Sequence, residues 1–261
     1  MKQPKNNYPE KLGRDSQMLW LDKLTIQCEG VRLRLTHGFE IEESSAEVIS
    51  IFKNPSFVHD YVHCLENMDA RNVVEVGIKH GGSAVFFWNL LKPEKLCCIE
   101  LASSADQLTA YIEQQGLTDR LTTHYNTDQA DKTRLREILD ARFGKAPLDV
   151  VIDDASHLYT PSLATFEVLF PQLRQGGLYF LEDWGVHVKM PQHGREPHGE
   201  EPPLHRLVHE LLNVSMAHPG IISSVKCHRN FVVFERGKFP PDVTGLDVRA
   251  ILAADSQMVE Y

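Results

Sequence analysis

The chain has 261 residues, 42% hydrophobic and 24% charged, which is enough for one large domain or one domain with appendages. Its formal net charge of -9, without a Lys/Arg run, argues against a nucleic-acid partner. No stretch approaches the roughly 18 apolar residues of a membrane span. Before residue 55 the patterning is weak; Trp20–Leu24 is expected as a short helix and Val31–Leu35 as a strand of an appended cap. Pro55–Glu66 has helical spacing, with Phe57, Val58, Tyr61, Val62 and Leu65 on one stripe. From Arg71 onward strands and helices alternate, which predicts an α/β fold with a parallel sheet. The expected strands are Asn72–Gly77, Lys95–Glu100, Leu121–Asn126 and Leu148–Asp153, and a fifth ends at Leu181 after a Gly176-Gly177 turn. The helices between them are Ser83–Leu91, Ala105–Gln115 closed by Gly116, Lys132–Phe143 closed by Gly144, and Tyr159–Leu173 with Pro161 in its first turn. Trp184–Pro203 is polar and aperiodic, rich in Pro, Gly, His and Glu, and its position after a strand reads as a lid over a substrate. Leu204–Leu212 is a helix, and Ile221–Lys226 and Phe231–Glu235 form an antiparallel hairpin turned by His228-Arg229-Asn230. The expected division is an appendage over 1–55, an α/β domain over 56–236 with its lid at 184–203, and a tail over 237–261.

The cysteines (Cys28, Cys64, Cys97, Cys98 and Cys227) are odd in number and form no CxxC pair, which points to reduced thiols in a cytoplasmic protein. The polar start, Met1–Asn7, leads into no apolar core and reads as no signal peptide.

Two segments concentrate chemistry. Asp153-Asp154-Ala155-Ser156-His157 follows the apolar run Leu148–Ile152, and Glu182-Asp183 follows Gly177–Leu181. Buried parallel strands are apolar on both faces, and open α/β sheets bind ligands beyond their carboxyl ends. Carboxylates and a histidine therefore arrive at one rim, a pattern suited to a hard divalent cation beside a general base. Mg²⁺ bound there would lower the pKa of a substrate hydroxyl, and His157 is close enough in sequence to take its proton. Asp153 faces away from Asp154, because successive strand residues alternate, and so turns toward the cofactor or the next segment.

Further upstream, Glu75-Val76-Gly77 runs into Gly81-Gly82-Ser83, a glycine-rich strand-to-helix turn that lets backbone approach a cofactor. It is neither the GxGxxG of a dinucleotide site nor a phosphate-binding loop. Glu100, at a strand end, can accept both ribose hydroxyls, and Asp128-Gln129 can read an adenine edge. An adenosine held without a phosphate grip suggests S-adenosylmethionine. A solvated loop acid is the competing reading for Glu100 and Asp128.

The order EVGxxxGGS, IEL, DQxD, VIDDASH and GGLYFLEDW resembles the class I methyltransferases of the macrocin O-methyltransferase and cephalosporin hydroxylase group, over roughly Ser56 to Arg236. That resemblance implies a Rossmann-like sheet ending in an antiparallel hairpin, with helices on both faces. It implies Asp154, Glu182 and Asp183 as Mg²⁺ ligands, His157 as the base, and Gly77, Gly81, Gly82 and Ser83 as the cofactor loop. The implied reaction moves a methyl group from S-adenosylmethionine to a hydroxyl of a sugar or glycoside, in a protein that forms homo-oligomers. Ala155 stands where the family often has Gly, and Trp184–Pro203 matches no family pattern.

Blander readings compete. His157 fits a helix-start residue bonded to backbone, and Glu182-Asp183 fit capping acids beside a helix dipole. His187, His193, His198, His205 and His209 crowd one segment. Only His205 and His209 share a helix face, which fits a surface stripe better than a zinc site. A catechol-type or other diol acceptor, or a non-catalytic cofactor-binding subunit, remain the rival functions.

Overall fold

The computed structural model describes residues 8–12, 18–36, 45, 47–189, 201–238 and 245–258. Most of the expected lid, with His193 and His198, lies outside the described residues, as does the side chain of His187. The chain runs through strands β1 (Glu10–Lys11), β2 (Leu19–Trp20), β3 (Thr25–Cys28), β4 (Val31–Leu35) and β5 (Val48–Ile51) into helix α1 (Pro55–Leu65). There follow β6 (Asn72–Val76), α2 (Gly82–Leu91), β7 (Lys95–Ile99), α3 (Asp106–Gln114), β8 (Leu121–His124), α4 (Lys132–Phe143), β9 (Leu148–Asp153) and α5 (Tyr159–Leu169). After a 3-10 turn at Phe170–Gln172 come β10 (Leu173–Glu182), α6 (Val186–Lys189), α7 (Leu204–Ala217), β11 (Ile222–Cys227), β12 (Phe231–Arg236) and α8 (Val248–Met258). None of the described helices is long and apolar enough to cross a membrane.

One sheet has the order β1-β2-β3-β4-β5 and the other β11-β12-β10-β9-β6-β7-β8. The chain divides into two compact units: residues 1–71, 78–98 and 102–123, and residues 72–77, 99–101 and 124–261. In the first unit the β1–β5 sheet is antiparallel except for the parallel β4–β5 pair. The expected helix at Trp20–Leu24 is instead the last residue of β2 and the turn that leads to β3. Asp22 accepts the Leu24 N–H at 2.7 Å, a local side-chain bond that competes with helical pairing. The strand at Val31–Leu35 is present, and β5 was not foreseen.

The second unit places the expected site. β9 is buried along its whole length and pairs in parallel with β6 and β10, while β12 is antiparallel to β10. The fifth strand is longer than expected. It starts at Leu173, and the register shifts between Leu173 and Leu178, where Gly176 and Gly177 lie, so the glycines make an irregularity within a strand rather than a turn before it. Helix α7 runs on to Ala217, and α8 occupies the stretch read as a weakly patterned tail. The aromatic core joins α5 to this sheet: Phe166 stacks on Phe170 at 4.5 Å and meets Tyr179 edge-on at 4.9 Å and Phe234 at 5.7 Å. Burial of several aromatic side chains at this seam supplies much of the local apolar stabilisation.

Candidate functional site

Register brings the chemical residues together. Val76 of β6 and Leu181 of β10 both pair with Asp153 of β9, so three parallel strands end level. Asp154 leaves β9 at that rim, its N–H donated to Val76 O at 2.8 Å. Asp183 leaves β10 there, its N–H donated to Asn230 O at 2.7 Å. Gly77, just past β6, has φ +83°, and a Cβ on it would stand 2.3 Å from Asp154 O and 2.6 Å from Ala155 Cα. A glycine is therefore required where these two loops touch, a packing reason additional to cofactor approach. Gly77→Ala is expected to cost about 1–3 kcal/mol through overpacking, read as a lower denaturation midpoint.

Asp154, His157 and Asp183 form the cluster. One ligand-type atom of each lies within 4.8 Å of the others, and no other grouping of three such residues occurs among the described residues. His157 Nε2 stands 3.9 Å from Asp154 Oδ1 and 3.9 Å from Asp183 Oδ2. All three side chains are partly open to solvent, at 28%, 21% and 38%. Glu182, the third expected ligand, is 1% exposed at the end of β10 and is not in this cluster. Both His157 (φ +56°) and Asp183 (φ +49°) hold left-handed backbone conformations. For non-glycine residues these are strained by about 1–3 kcal/mol each, and they persist only where the surroundings impose them.

The surroundings are polar and buried. Asp153 is 2% exposed; its Oδ2 accepts the Tyr179 hydroxyl at 2.8 Å and its Oδ1 the Gln129 amide at 3.2 Å. Burial pushes the Asp153 carboxyl up to about 6, against the lowering effect of the Tyr179 hydrogen bond. Burial also raises the Tyr179 hydroxyl well above its ordinary value, and the Asp153 charge adds to this. Gln129 Oε1 accepts the Ser156 N–H at 2.7 Å. Gln129 and Asp153 were both expected against a cofactor; the structure bonds their side chains to each other inside the protein. By sequence, Tyr179 is only one residue of an apolar strand. The signal was present, since a tyrosine in a buried strand needs a partner for its hydroxyl.

Among the other expected cofactor residues, Glu75 is wholly buried in β6. Glu100 is half-buried just after β7, and its carbonyl accepts the Thr127 N–H. Asp128 is exposed, and its side chain accepts the Ala130 N–H at 2.8 Å. Gly81, Gly82 and Ser83 are buried in the first unit at the start of α2. There a Cβ on Gly82 would stand 2.3 Å from Ser50 O, so close packing on β5 by itself requires that glycine.

The ends of the expected lid are fixed in the second unit. Trp184 Nε1 donates to His228 O at 3.1 Å. At the far end Pro203 bridges to Leu158, and the Glu201 carboxylate accepts the Thr160 N–H at 2.5 Å. His205 and His209 lie 5.8 Å apart, ring to ring, on α7 and join no third ligand among the described residues.

Residues 74–184 match a family described as a methyltransferase domain. Demethylmacrocin O-methyltransferase of Streptomyces fradiae is 48% identical over 64 residues, which cover 24% of this chain and 15% of that protein. The tetracenomycin rhamnosyl 2'-O-methyltransferase of Streptomyces olivaceus is 46% identical over 56 residues, 22% of this chain and 14% of that one. A rhamnosyl O-methyltransferase of Mycobacterium bovis is 26% identical over 156 residues, 58% of this chain and 61% of its own. The chain thus spans less than two thirds of the length of each of these relatives. Among solved structures, the methyltransferase MycE of the mycinamycin pathway, in complex with Mg, SAH and mycinamycin VI, matches with a TM-score of 0.54 at 24% identity, covering 75% of this chain and 52% of that one. The resemblance to the macrocin O-methyltransferase group holds, and so does the Rossmann-like methyltransferase fold.

Proposed function

We propose that this chain is a Mg²⁺-dependent O-methyltransferase that moves the methyl group of S-adenosylmethionine to a hydroxyl of a sugar or glycoside natural product. The observation that carries the proposal is the convergence of Asp154, His157 and Asp183 at the level ends of β6, β9 and β10. The donor set fits the ion: two carboxylates offer hard oxygen, partly exposed, and a divalent cation of this class keeps positions for water or substrate. Asp154 and Asp183 would hold it, with Glu182 the third ligand that the resemblance implies. When bound, such a cation favours loss of a hydroxyl proton by charge alone. His157 Nε2, 3.9 Å from a carboxylate oxygen of Asp154 and of Asp183, is the group that takes that proton. The cofactor supplies an electrophilic methyl group. Glu75, Gly77, Glu100 and Asp128 of the second unit are assigned to the cofactor.

The sugar acceptor is supported by two of the relatives, whose names place their methyl groups on rhamnosyl groups. It is also supported by the polar composition of the segment after Trp184, which suits a hydroxylated ligand. That segment, tied down next to Asp183 at one end and next to His157 at the other, is assigned as the acceptor lid. A cytoplasmic location is inferred from the cysteine pattern, and a homo-oligomer from the resemblance alone. The test is calorimetric binding of S-adenosylmethionine with Mg²⁺ or EDTA, followed by an acceptor screen over monosaccharides and glycosides read by mass. Metal-dependent gain of one methyl group on a sugar is expected. Cofactor binding without gain on any diol would favour a non-catalytic subunit, and absence of cofactor binding would overturn the assignment.

A further inference from the structure

Within the loop that delivers Asp154 and His157, the side-chain bonds to backbone are short-range: Ser156 Oγ accepts the Leu158 N–H at 3.2 Å, and the Asp153 carboxylate accepts the Ala155 N–H. Helix α5 begins directly after it, and its N-cap residue, Leu158, makes no side-chain cap hydrogen bond. His157 nevertheless keeps a left-handed backbone. Gln129, from the loop between β8 and α4, supplies a hold from outside, and it is 5% exposed. Its Oε1 accepts the Ser156 N–H at 2.7 Å, while its Nε2 donates to Asp153 Oδ1 at 3.2 Å and to Thr165 Oγ1 at 2.9 Å. The Thr165 hydroxyl in turn lies 3.1 Å from Gln129 O. Tyr179 fixes the other Asp153 oxygen.

One amide thus bridges residues 153 and 156, on either side of Asp154 and next to His157. A primary amide suits the task because it carries an acceptor and two donors in one plane, whereas a carboxylate there could accept but not donate and would face Asp153. Both Gln129 donors are spent inside the protein. Asp153, Gln129, Thr165 and Tyr179 are all buried, and a fully satisfied buried network rigidifies what it holds.

We propose that Gln129 is a positioning residue, which sets the distance between Asp154 and His157 by clamping the segment from Asp153 to Ser156, rather than a reader of the cofactor's base. This rests on the cation-binding reading above. Groups behind metal ligands that orient them change metal affinity by about 10–100-fold when removed.

The test is Mn²⁺ binding to the full chain, followed by electron paramagnetic resonance, alongside thermal unfolding and the kinetic constants of methyl transfer. Gln129→Met keeps the side-chain volume and removes every bond of the amide. It is expected to weaken Mn²⁺ binding about 10–100-fold and to lower kcat, with KM for S-adenosylmethionine unchanged. Asp131→Ala is the control: its carboxylate caps α4 by accepting the Thr133 and Arg134 N–H groups, two residues from Gln129 but outside the clamp. It should lower the unfolding temperature and leave Mn²⁺ binding as in the parent. If Gln129→Met does not fold, Gln129→Asn, one methylene too short to reach both partners, should show the same loss of Mn²⁺ binding. Parental Mn²⁺ affinity in a folded Gln129 variant overturns the positioning role alone, as does an equal loss in Asp131→Ala. No Mn²⁺ binding by the parent overturns the cation reading and this role with it. A raised KM for S-adenosylmethionine at unchanged Mn²⁺ affinity would return Gln129 to the cofactor.

Discussion

His157→Ala is expected to lower kcat for methyl transfer by about 10²–10⁴-fold, the usual contribution of a positioned general base. The expectation follows from placement. Nε2 stands 3.9 Å from a carboxylate oxygen on either side, in a partly open rim, where an acceptor hydroxyl can approach. The substitution removes the imidazole without filling the space, and alanine adopts the required φ of +56° no more easily than histidine. Affinity for S-adenosylmethionine should stay as in the parent, since the imidazole is assigned to the acceptor. Steady-state kinetics with a verified acceptor, paired with Mn²⁺ titration, also separates base from ligand. A base gives a large loss of kcat with Mn²⁺ affinity kept. A loss of Mn²⁺ affinity as large as that of an Asp154 variant would make His157 a ligand, and undiminished kcat would remove it from the chemistry.

Asp154→Ala is expected to reduce kcat/KM by about 10²–10³-fold, because metal charge stabilisation is worth several kcal/mol and each 1.4 kcal/mol is about a factor of ten. EDTA treatment of the parent should reproduce the loss, and excess Mg²⁺ should recover part of the variant's activity if the site is weakened rather than abolished. The backbone anchor of this residue, its N–H on Val76 O, survives the change, so the fold should too. Isothermal titration with Mn²⁺ and unfolding by circular dichroism are the measurements. Activity indifferent to both EDTA and the substitution would show that the chain catalyses without the cation. Asp183→Ala should behave like Asp154→Ala, and Glu182→Gln, at the buried position of the third ligand, should lower Mn²⁺ affinity and stability together.

Much of the frame was legible in the sequence because it depends on local patterns. The run Leu148–Ile152 is apolar on both faces, so its strand had to be central, and β9 has the bounds expected of it. Helix α4 likewise runs from Lys132 to Phe143 and closes at Gly144, as its spacing predicts. The acids after the strands were legible for the same reason: a strand that ends at a parallel rim delivers whatever follows it there. At Trp20–Leu24 the helical expectation fails because the segment ends β2 and turns back into β3, a turn closed by the Leu21 N–H on Thr25 O and by the Asx bond at Asp22. Helix α8 escaped notice because its hold is not local: the Val248 N–H is taken by the buried Glu167 carboxylate, 81 residues away.

The sequence alone therefore determined the class of fold, the strand ends at which the chemistry gathers, and the acidic and imidazole groups present. Only the tertiary structure decided which of those groups meet. Neighbours such as Glu182 and Asp183, equivalent on paper, part company because one stays in a buried strand and the other turns out of it with a left-handed backbone. Gln129, Asp153, Thr165 and Tyr179 are far apart in the chain and carry no shared period, so no pattern could join them. They form one network because β9, β10, α5 and the loop before α4 bury their polar atoms in a common interior, where each must find a partner.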